Sequence, residues 1–232
     1  MDFETTVMEI IQRTYNVKSF RFKTPNGFTH KPGQFMFVTI KINDTLVRKP
    51  FSISCSPTEK GYVEFTKKLT GHEFSNALDA LRVGDWVKIE GPFGNFTFTG
   101  EYEKIALLSG GIGITPLRSI CRYATDMKLA TKITLLYGNR TERDIVFREE
   151  LEQMSRQNPN LKVVLTLDEP SLNWKGYSGV ISADMIRKEV PDYHERTFYT
   201  CGPPAMVKAM DVLLAQLNIP SAQIKKEQWP GY

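Results

Sequence analysis

Cysteine is scarce. The chain has three, Cys55, Cys121 and Cys201, in 232 residues, and none forms a CxxC pair. An odd, sparse count argues against a disulfide framework and excludes a four-cysteine iron–sulfur cluster within the chain. It fits a reducing, cytoplasmic compartment. Histidine is just as thin, with His30, His72 and His194 far apart, so no metal site is expected. Long apolar runs are missing too. The longest, near Ile105–Leu108, falls far short of the roughly 20 residues a membrane span needs. The acidic start Met1-Asp2-Phe3-Glu4 lacks a basic flank and an apolar core, so no signal peptide is expected. Charge of one sign is not in excess. A net charge of +4 with no basic tail gives little support to nucleic acid or a membrane surface as partner. Internal repeats and low-complexity segments are also absent.

What is present is ordinary globular composition, 41% hydrophobic and 24% charged. The length suits one large domain or two small ones, at about 100–150 residues per domain. The hydrophobic rhythm favours two. Phe20–Lys23, Gln34–Ile40, Val63–Lys67 and Trp86–Glu90 are short and alternating, and turn signals such as Pro25-Asn26-Gly27, Lys31-Pro32-Gly33 and Gly91-Pro92-Phe93-Gly94 bound them. That spacing predicts an antiparallel barrel over residues 1–99, interrupted by one helix at Ser75–Leu81. From Lys104 the pattern changes. Continuous apolar strands at Lys104–Ser109, Ile133–Tyr137, Lys162–Leu167 and Thr197–Thr200 alternate with helical stretches near Pro116–Met127, Phe147–Gln157, Ala183–Lys188 and Pro204–Leu217. This predicts a parallel-sheet α/β domain over residues 104–232, with a ligand at the carboxyl ends of its strands.

Three segments bear chemistry. Ser109-Gly110-Gly111-Ile112-Gly113-Ile114-Thr115-Pro116 runs from a buried strand through glycines into a helix, where free N–H groups and the positive dipole end suit a phosphate. A tight turn without a ligand reads the same way. Thr200-Cys201-Gly202-Pro203-Pro204-Ala205-Met206 repeats the strand–turn–helix arrangement, with Cys201 at a strand's carboxyl end or simply a buried structural thiol. Lys49-Pro50-Phe51-Ser52-Ile53-Ser54 offers a cation for a phosphate, a ring for a planar cofactor and hydroxyls, on alternating sides of one strand.

In this order and over nearly the whole chain, the three segments resemble the ferredoxin–NADP reductase superfamily, with its Arg-x-Tyr/Phe-Ser strand, G-x-G-x-T-P turn and C-G-P-P-x-M turn. The resemblance implies an FAD-binding antiparallel β-barrel followed by an NAD(P)H-binding α/β domain, in a stand-alone flavin-dependent reductase similar to those serving haem proteins and oxygenases. Phe51 then packs on the flavin, and Ser52 hydrogen-bonds near its N5. Lys49 stands where the family usually has arginine, and Arg48, one residue early, should point to the opposite face. Lysine can neutralise a pyrophosphate but cannot make the bidentate fork. Lys67, Lys68 and Leu69 resemble the backbone stretch lining the flavin, and Ser75 a helix-capping phosphate ligand. Gly110, Gly111, Gly113 and Thr115 cradle the nucleotide, while Cys201, Gly202 and Pro203 flank the nicotinamide. Near the C-terminus, Glu227 and Trp229 match a carboxylate followed by an aromatic that covers the flavin; Tyr232 is the alternative ring.

The nucleotide is NADH or NADPH. Tyr137-Gly138-Asn139-Arg140 and Thr166-Leu167-Asp168-Glu169 resemble the segments around the adenosine ribose. Asp168 would accept from a 2′-hydroxyl and repel a 2′-phosphate; Arg140 and Arg143 pull the other way. The Asp168 segment looks most like NADH-using members, so NADH is favoured. Three functions compete. The first is a reductase passing electrons to a ferredoxin, iron–sulfur or haem protein. The second is a free flavin or ferric reductase, kept open by Lys49. The third is a non-catalytic electron-channelling subunit, which in this superfamily usually brings a cysteine-rich segment.

Overall fold

The computed structural model describes residues 1–227. Trp229 and Tyr232 lie outside the described residues.

Strands β1 (Asp2–Thr14), β2 (Val17–Lys23), β3 (Phe35–Ile42), β4 (Thr45–Ser52), β5 (Tyr62–Lys68) and β6 (Trp86–Phe93) form one antiparallel sheet in the order β4-β3-β6-β1-β2-β5. Its two edges meet where Ile53 bridges to Phe65 and Ser54 N donates to Glu64 O at 2.8 Å, curling the sheet into a barrel. Alternate residues fill the interior: Phe20, Phe22, Met36, Val38, Phe65, Val87 and Ile89. The long strand β1 was not expected from sequence. Two register shifts against β2, between Val7 and Glu9 and between Gln12 and Thr14, break the two-residue period that would betray it.

Helix α1 (Glu73–Ala80) begins two residues before the expected Ser75, with His72 as its N-cap residue. Ser75 therefore does not cap the helix. It sits buried in the first turn and accepts from Thr70 N at 2.8 Å, closing the loop before the helix.

The second sheet is parallel: β7 (Lys104–Gly110), β8 (Lys132–Asn139), β9 (Leu161–Leu167), β10 (Tyr177–Ser178), β11 (Thr197–Cys201) and β12 (Ile224–Glu227), in the order β10-β9-β8-β7-β11-β12. Helices α2 (Ile114–Asp126) and α3 (Arg148–Gln157) cover one face, where Leu107, Leu117, Tyr137, Leu151 and Tyr199 pack. Helices α4 (Ala183–Glu189) and α5 (Pro204–Gln216) cover the other with Ala106, Leu108, Leu136, Ile186 and Leu214. Burial on both faces is why these strands read as unbroken apolar runs. The chain builds outward from β7 through β8 and β9, then returns to β7's other side with β11. The turn after β7 is thus the topological switch point, where such sheets bind ligands.

The segment between β6 and β7 carries Phe96 and Phe98 into the core of the parallel half, both edge-on to Tyr199, whose hydroxyl donates to Thr97 O at 2.9 Å. Between β2 and β3, the His30 ring sits 3.2 Å from Cys55 O. Burial holds this imidazole below its ordinary 6.5, with the Cys55 carbonyl opposing. A depressed folded-state value means protonation favours the unfolded chain. The stability His30 contributes is complete above pH 6.5 and is lost as pH falls below it. The melting temperature is expected to decline between pH 7.5 and 5.5 in the native protein and to flatten in His30→Phe. Parallel slopes in the two proteins would refute this.

Candidate active site

The turns that follow β7 and β11 are pressed together. A Cβ on Gly113 would lie 2.4 Å from Cys201 O and 2.5 Å from Gly202 Cα; on Gly110 or Gly202 it would strike the Met206 thioether at 2.3 Å or 2.6 Å. These three glycines serve the close approach of the two turns. Gly111 differs, with φ +53° and, among the described residues, nothing within 4 Å of its Cβ position. Thr115 is buried and donates to Ile112 O at 3.2 Å, holding the turn as it enters α2.

Beside the turns opens a cavity of about 770 Å³, lined by Gly110, Gly111, Asn139, Arg140, Asp168 and Pro203, with Lys68 reaching in from the barrel half. Among the described residues, Ser109 Oγ, Thr200 Oγ1 and both amide atoms of Asn139 are buried without a hydrogen-bond partner. All lie at the carboxyl ends of β7, β11 and β8. Asn139, 5% exposed, is on the cavity wall. The nearby Tyr137 hydroxyl interacts with the Asn139 side chain but is itself engaged, donating to Gly111 O at 2.9 Å and accepting from Val146 N at 3.3 Å, so the amide is left without a hydrogen bond of good geometry. An orphaned buried amide costs about 1–3 kcal/mol, and a polar ligand in the cavity would meet it. The donor set fits a dinucleotide. From sequence Asn139 is only one member of the Tyr137–Arg140 segment; its buried amide, poorly met within the described residues, distinguishes it.

Lys68 and Arg140 line the cavity as cations, Asp144 and Asp168 as anions. Arg140 is exposed and bound to Glu169 at 3.0 Å, and Arg143 lies over the Tyr15 ring at 4.9 Å. Asp168 is exposed and makes no ion pair among the described residues.

On the barrel side, Phe51 is half-buried, its ring stacked on Phe65 at 4.3 Å and near Phe74 at 5.9 Å. Ser52, at the end of β4, donates to Glu227 Oε2 at 3.1 Å, joining the two halves. Glu227 pairs with Cys201 in the β11–β12 ladder. Burial first, then the Glu227 carboxylate, pushes the Cys201 thiol well above its ordinary value, so it stays neutral and is no nucleophile. Lys49 is exposed with no ion pair among the described residues. Arg48 stands apart from this group: it binds Glu90 Oε2 at 2.6 Å and lies over the Phe37 ring at 3.3 Å, on the other face of β4. Lys67 is half-buried, and burial lowers its ammonium's pKa. Leu69 N donates to Asn16 O at 2.7 Å, tying this stretch to the β1–β2 turn. A half-buried ring, an oriented hydroxyl and a cation without a carboxylate fit a planar cofactor bearing a pyrophosphate.

Ser52, Glu227, Cys201, Gly113 and Gly202 therefore converge at one junction, and Lys68, Gly110, Gly111, Arg140, Asp168 and Pro203 around one cavity. Arg48 and Ser75 are engaged elsewhere. Among the described residues, no three His, Cys, Asp or Glu gather to hold a metal, and no helix is long and apolar enough to cross a membrane.

Residues 4–98 match the oxidoreductase FAD-binding domain and residues 107–211 the oxidoreductase NAD-binding domain. Human NADH-cytochrome b5 reductase 1 is 31% identical over a 244-residue alignment covering 88% of this chain and 79% of that protein. The glycine betaine monooxygenase reductase subunit of Chromohalobacter salexigens is 34% identical over 216 residues, 89% of this chain; the chain spans 58% of that relative's length. The cytochrome b5 reductase domain of Ulva prolifera nitrate reductase superposes with a TM-score of 0.87 at 27% identity, covering 98% of this chain and 97% of that one. With these relatives and these two paired domains, the chain belongs to the ferredoxin–NADP reductase superfamily.

Proposed function

We propose that this protein is a flavin-dependent reductase that takes a hydride from NADH and passes electrons to a protein acceptor, of the ferredoxin, iron–sulfur or haem class. The contact that carries this reading is the hydrogen bond from Ser52 to Glu227, which brings the end of the flavin-side strand to the strand beside Cys201. When bound, FAD supplies the step between a two-electron donor and one-electron acceptors. The chain's own residues bind and orient. Phe51 and Ser52 would hold the flavin ring, Lys49 the pyrophosphate, and Trp229 or Tyr232 the ring's other face. The Gly110–Gly113 turn and the Cys201–Pro203 turn would hold the nicotinamide end of the nucleotide, with Asn139 satisfying its amide on the bound ligand. A neutral, buried Cys201 excludes water without offering a charge, which suits hydride transfer because that step needs no protein acid or base. Three free, buried thiols suit a reducing cytoplasm.

NADH is the favoured donor because Asp168 lies on the cavity rim without an ion pair among the described residues while Arg140 already holds Glu169. Rapid-mixing absorbance on FAD-loaded protein should show fast flavin bleaching with NADH and slow bleaching with NADPH. In Asp168→Ser the ratio of the two rates should move toward NADPH by about tenfold. Bleaching with neither nucleotide, in protein that holds FAD, would sink the reductase reading.

A second reading, a free flavin reductase, draws on Lys49, an exposed point charge where a forked guanidinium would grip harder. FAD lost during gel filtration would favour it; FAD retained would favour the first.

A further inference from the structure

Arg118 is an arginine that sequence offered no reason to notice. It lies one turn into α2, just beyond the Gly110–Thr115 turn, and is 3% exposed. Its guanidinium reaches both halves of the molecule. Nη1 donates to Ser54 O at 3.1 Å and to Glu59; Nη2 donates to Glu59 Oε1 at 3.1 Å and to Glu150 Oε2 at 2.6 Å; Nε also donates to Glu150 Oε2, at 3.0 Å. Glu59 belongs to the loop between β4 and β5, and Glu150 to α3. The next residue, Ser119, donates to Cys55 O at 2.6 Å. Two adjacent residues of the helix that opens on the nucleotide turn therefore grip the two carbonyls two and three positions after Ser52.

The grip is braced on both sides. Glu150 also receives Arg13 of β1 at 2.7 Å, and Arg13 and Arg118 both lie over the Phe147 ring, at 4.9 Å and 5.5 Å. Burying a guanidinium disfavours its charge, but the carboxylates of Glu59, Glu150 and Glu64 more than offset this. Buried ion pairs are poor stabilisers compared with well-packed apolar residues, yet they fix one arrangement by their geometry. A junction between two half-sites is where that geometry has a use.

We propose that Arg118 is a positioning residue: resting on the reductase reading above, it locks the nucleotide-holding turn to the flavin-holding strand and so sets the approach of hydride donor to acceptor. It touches neither cofactor. Its loss should leave each half-site intact and misalign them, slowing transfer without weakening nucleotide binding.

The test uses full-length, FAD-loaded native protein, Arg118→Met, Arg118→Lys and Glu59→Gln, mixed rapidly with a series of NADH concentrations. In Arg118→Met the limiting rate of flavin bleaching should fall at least about tenfold, since a misplacement near 1 Å can cost a hundredfold. The NADH concentration for half-maximal rate should stay within about twofold, because the nucleotide's own contacts are untouched. Arg118→Lys should restore part of the rate, keeping the charge but not the fork. Glu59→Gln, which keeps Glu150 on Arg118, should show a smaller loss of the same kind, and it serves as the readout if Arg118→Met does not fold. An unchanged limiting rate per folded molecule would overturn the proposal. So would a loss confined to the half-maximal concentration, or one no different in Arg118→Lys. Failure of the native protein itself to bleach would instead overturn the reductase reading.

Discussion

Gly113→Ala is expected to cut NADH-driven flavin reduction by about a hundredfold while leaving the FAD content unchanged. Gly113 has φ −61° and ψ −7°, a backbone that alanine adopts freely, so strain is not the reason. Space is. The added methyl would stand 2.4 Å from Cys201 O, 2.5 Å from Gly202 Cα and 2.6 Å from Cys201 C, all backbone atoms that no rotamer change can clear. The two turns would have to part by about 1 Å, the scale of displacement that costs two orders of magnitude in a positioned reaction. The barrel and its cofactor contacts lie on the other side of the junction and should be spared. Gly111→Ala makes the useful contrast. It meets no atom of the described residues but must hold φ +53°, a penalty of about 1–2 kcal/mol paid in backbone energy, with the turns left in register. Its effect on bleaching should be far smaller. Equal effects from the two substitutions would show that the contact between turns is not what matters.

Glu64→Leu is expected to destabilise the protein by about 3–5 kcal/mol, because it strands two buried or half-buried guanidinium groups. Glu64 is fully buried in β5. Its Oε2 receives Arg13 at 3.1 Å and Arg21 at 2.8 Å, and its Oε1 receives Ser54 Oγ at 2.8 Å. Without the carboxylate, Arg13 keeps Glu150 and Arg21 keeps Glu9, but both lose the partner that is out of water. The drop in melting temperature should be about 10 °C for a chain of this size. Thermal unfolding of FAD-loaded protein would measure it. A shift under about 2 °C would mean that water or a rotamer change satisfies both guanidinium groups, contrary to the packing described.

Both predictions turn on contacts between parts of the chain that are distant in sequence, which divides what could be read from what could not. Periodicity alone determined the two-part architecture. Short alternating runs before Glu103 can bury only one face, and the continuous apolar runs after it need cover on both. The three motif segments, one strand and two turns, could also be picked out, with Phe51, Ser52 and Cys201 as candidates within them and Glu227 near the C-terminus, because local chemistry sits in a few consecutive residues. β1 escaped because two bulges disrupt its alternation, and the start of α1 was misjudged because Ser75 turns its hydroxyl back to Thr70 rather than capping the helix.

Other matters were decided only by the tertiary structure. Four glycines looked alike in sequence; packing separates Gly110, Gly113 and Gly202, which let two turns touch, from Gly111, whose Cβ position meets nothing among the described residues. Arg140 suited a phosphate, but Glu169 lies across from it, and Arg48, expected on the opposite face from Lys49, is held there by Glu90. Arg118 carried no signal at all, and Asn139 only its place in the Tyr137–Arg140 segment. One is defined by carboxylates 59 and 32 positions away, the other by hydrogen bonds it fails to make. Hydrophobic period is a property of neighbours along the chain and survives in the sequence. The partner of a charge or an amide is a property of neighbours in space, and only the folded chain brings those together.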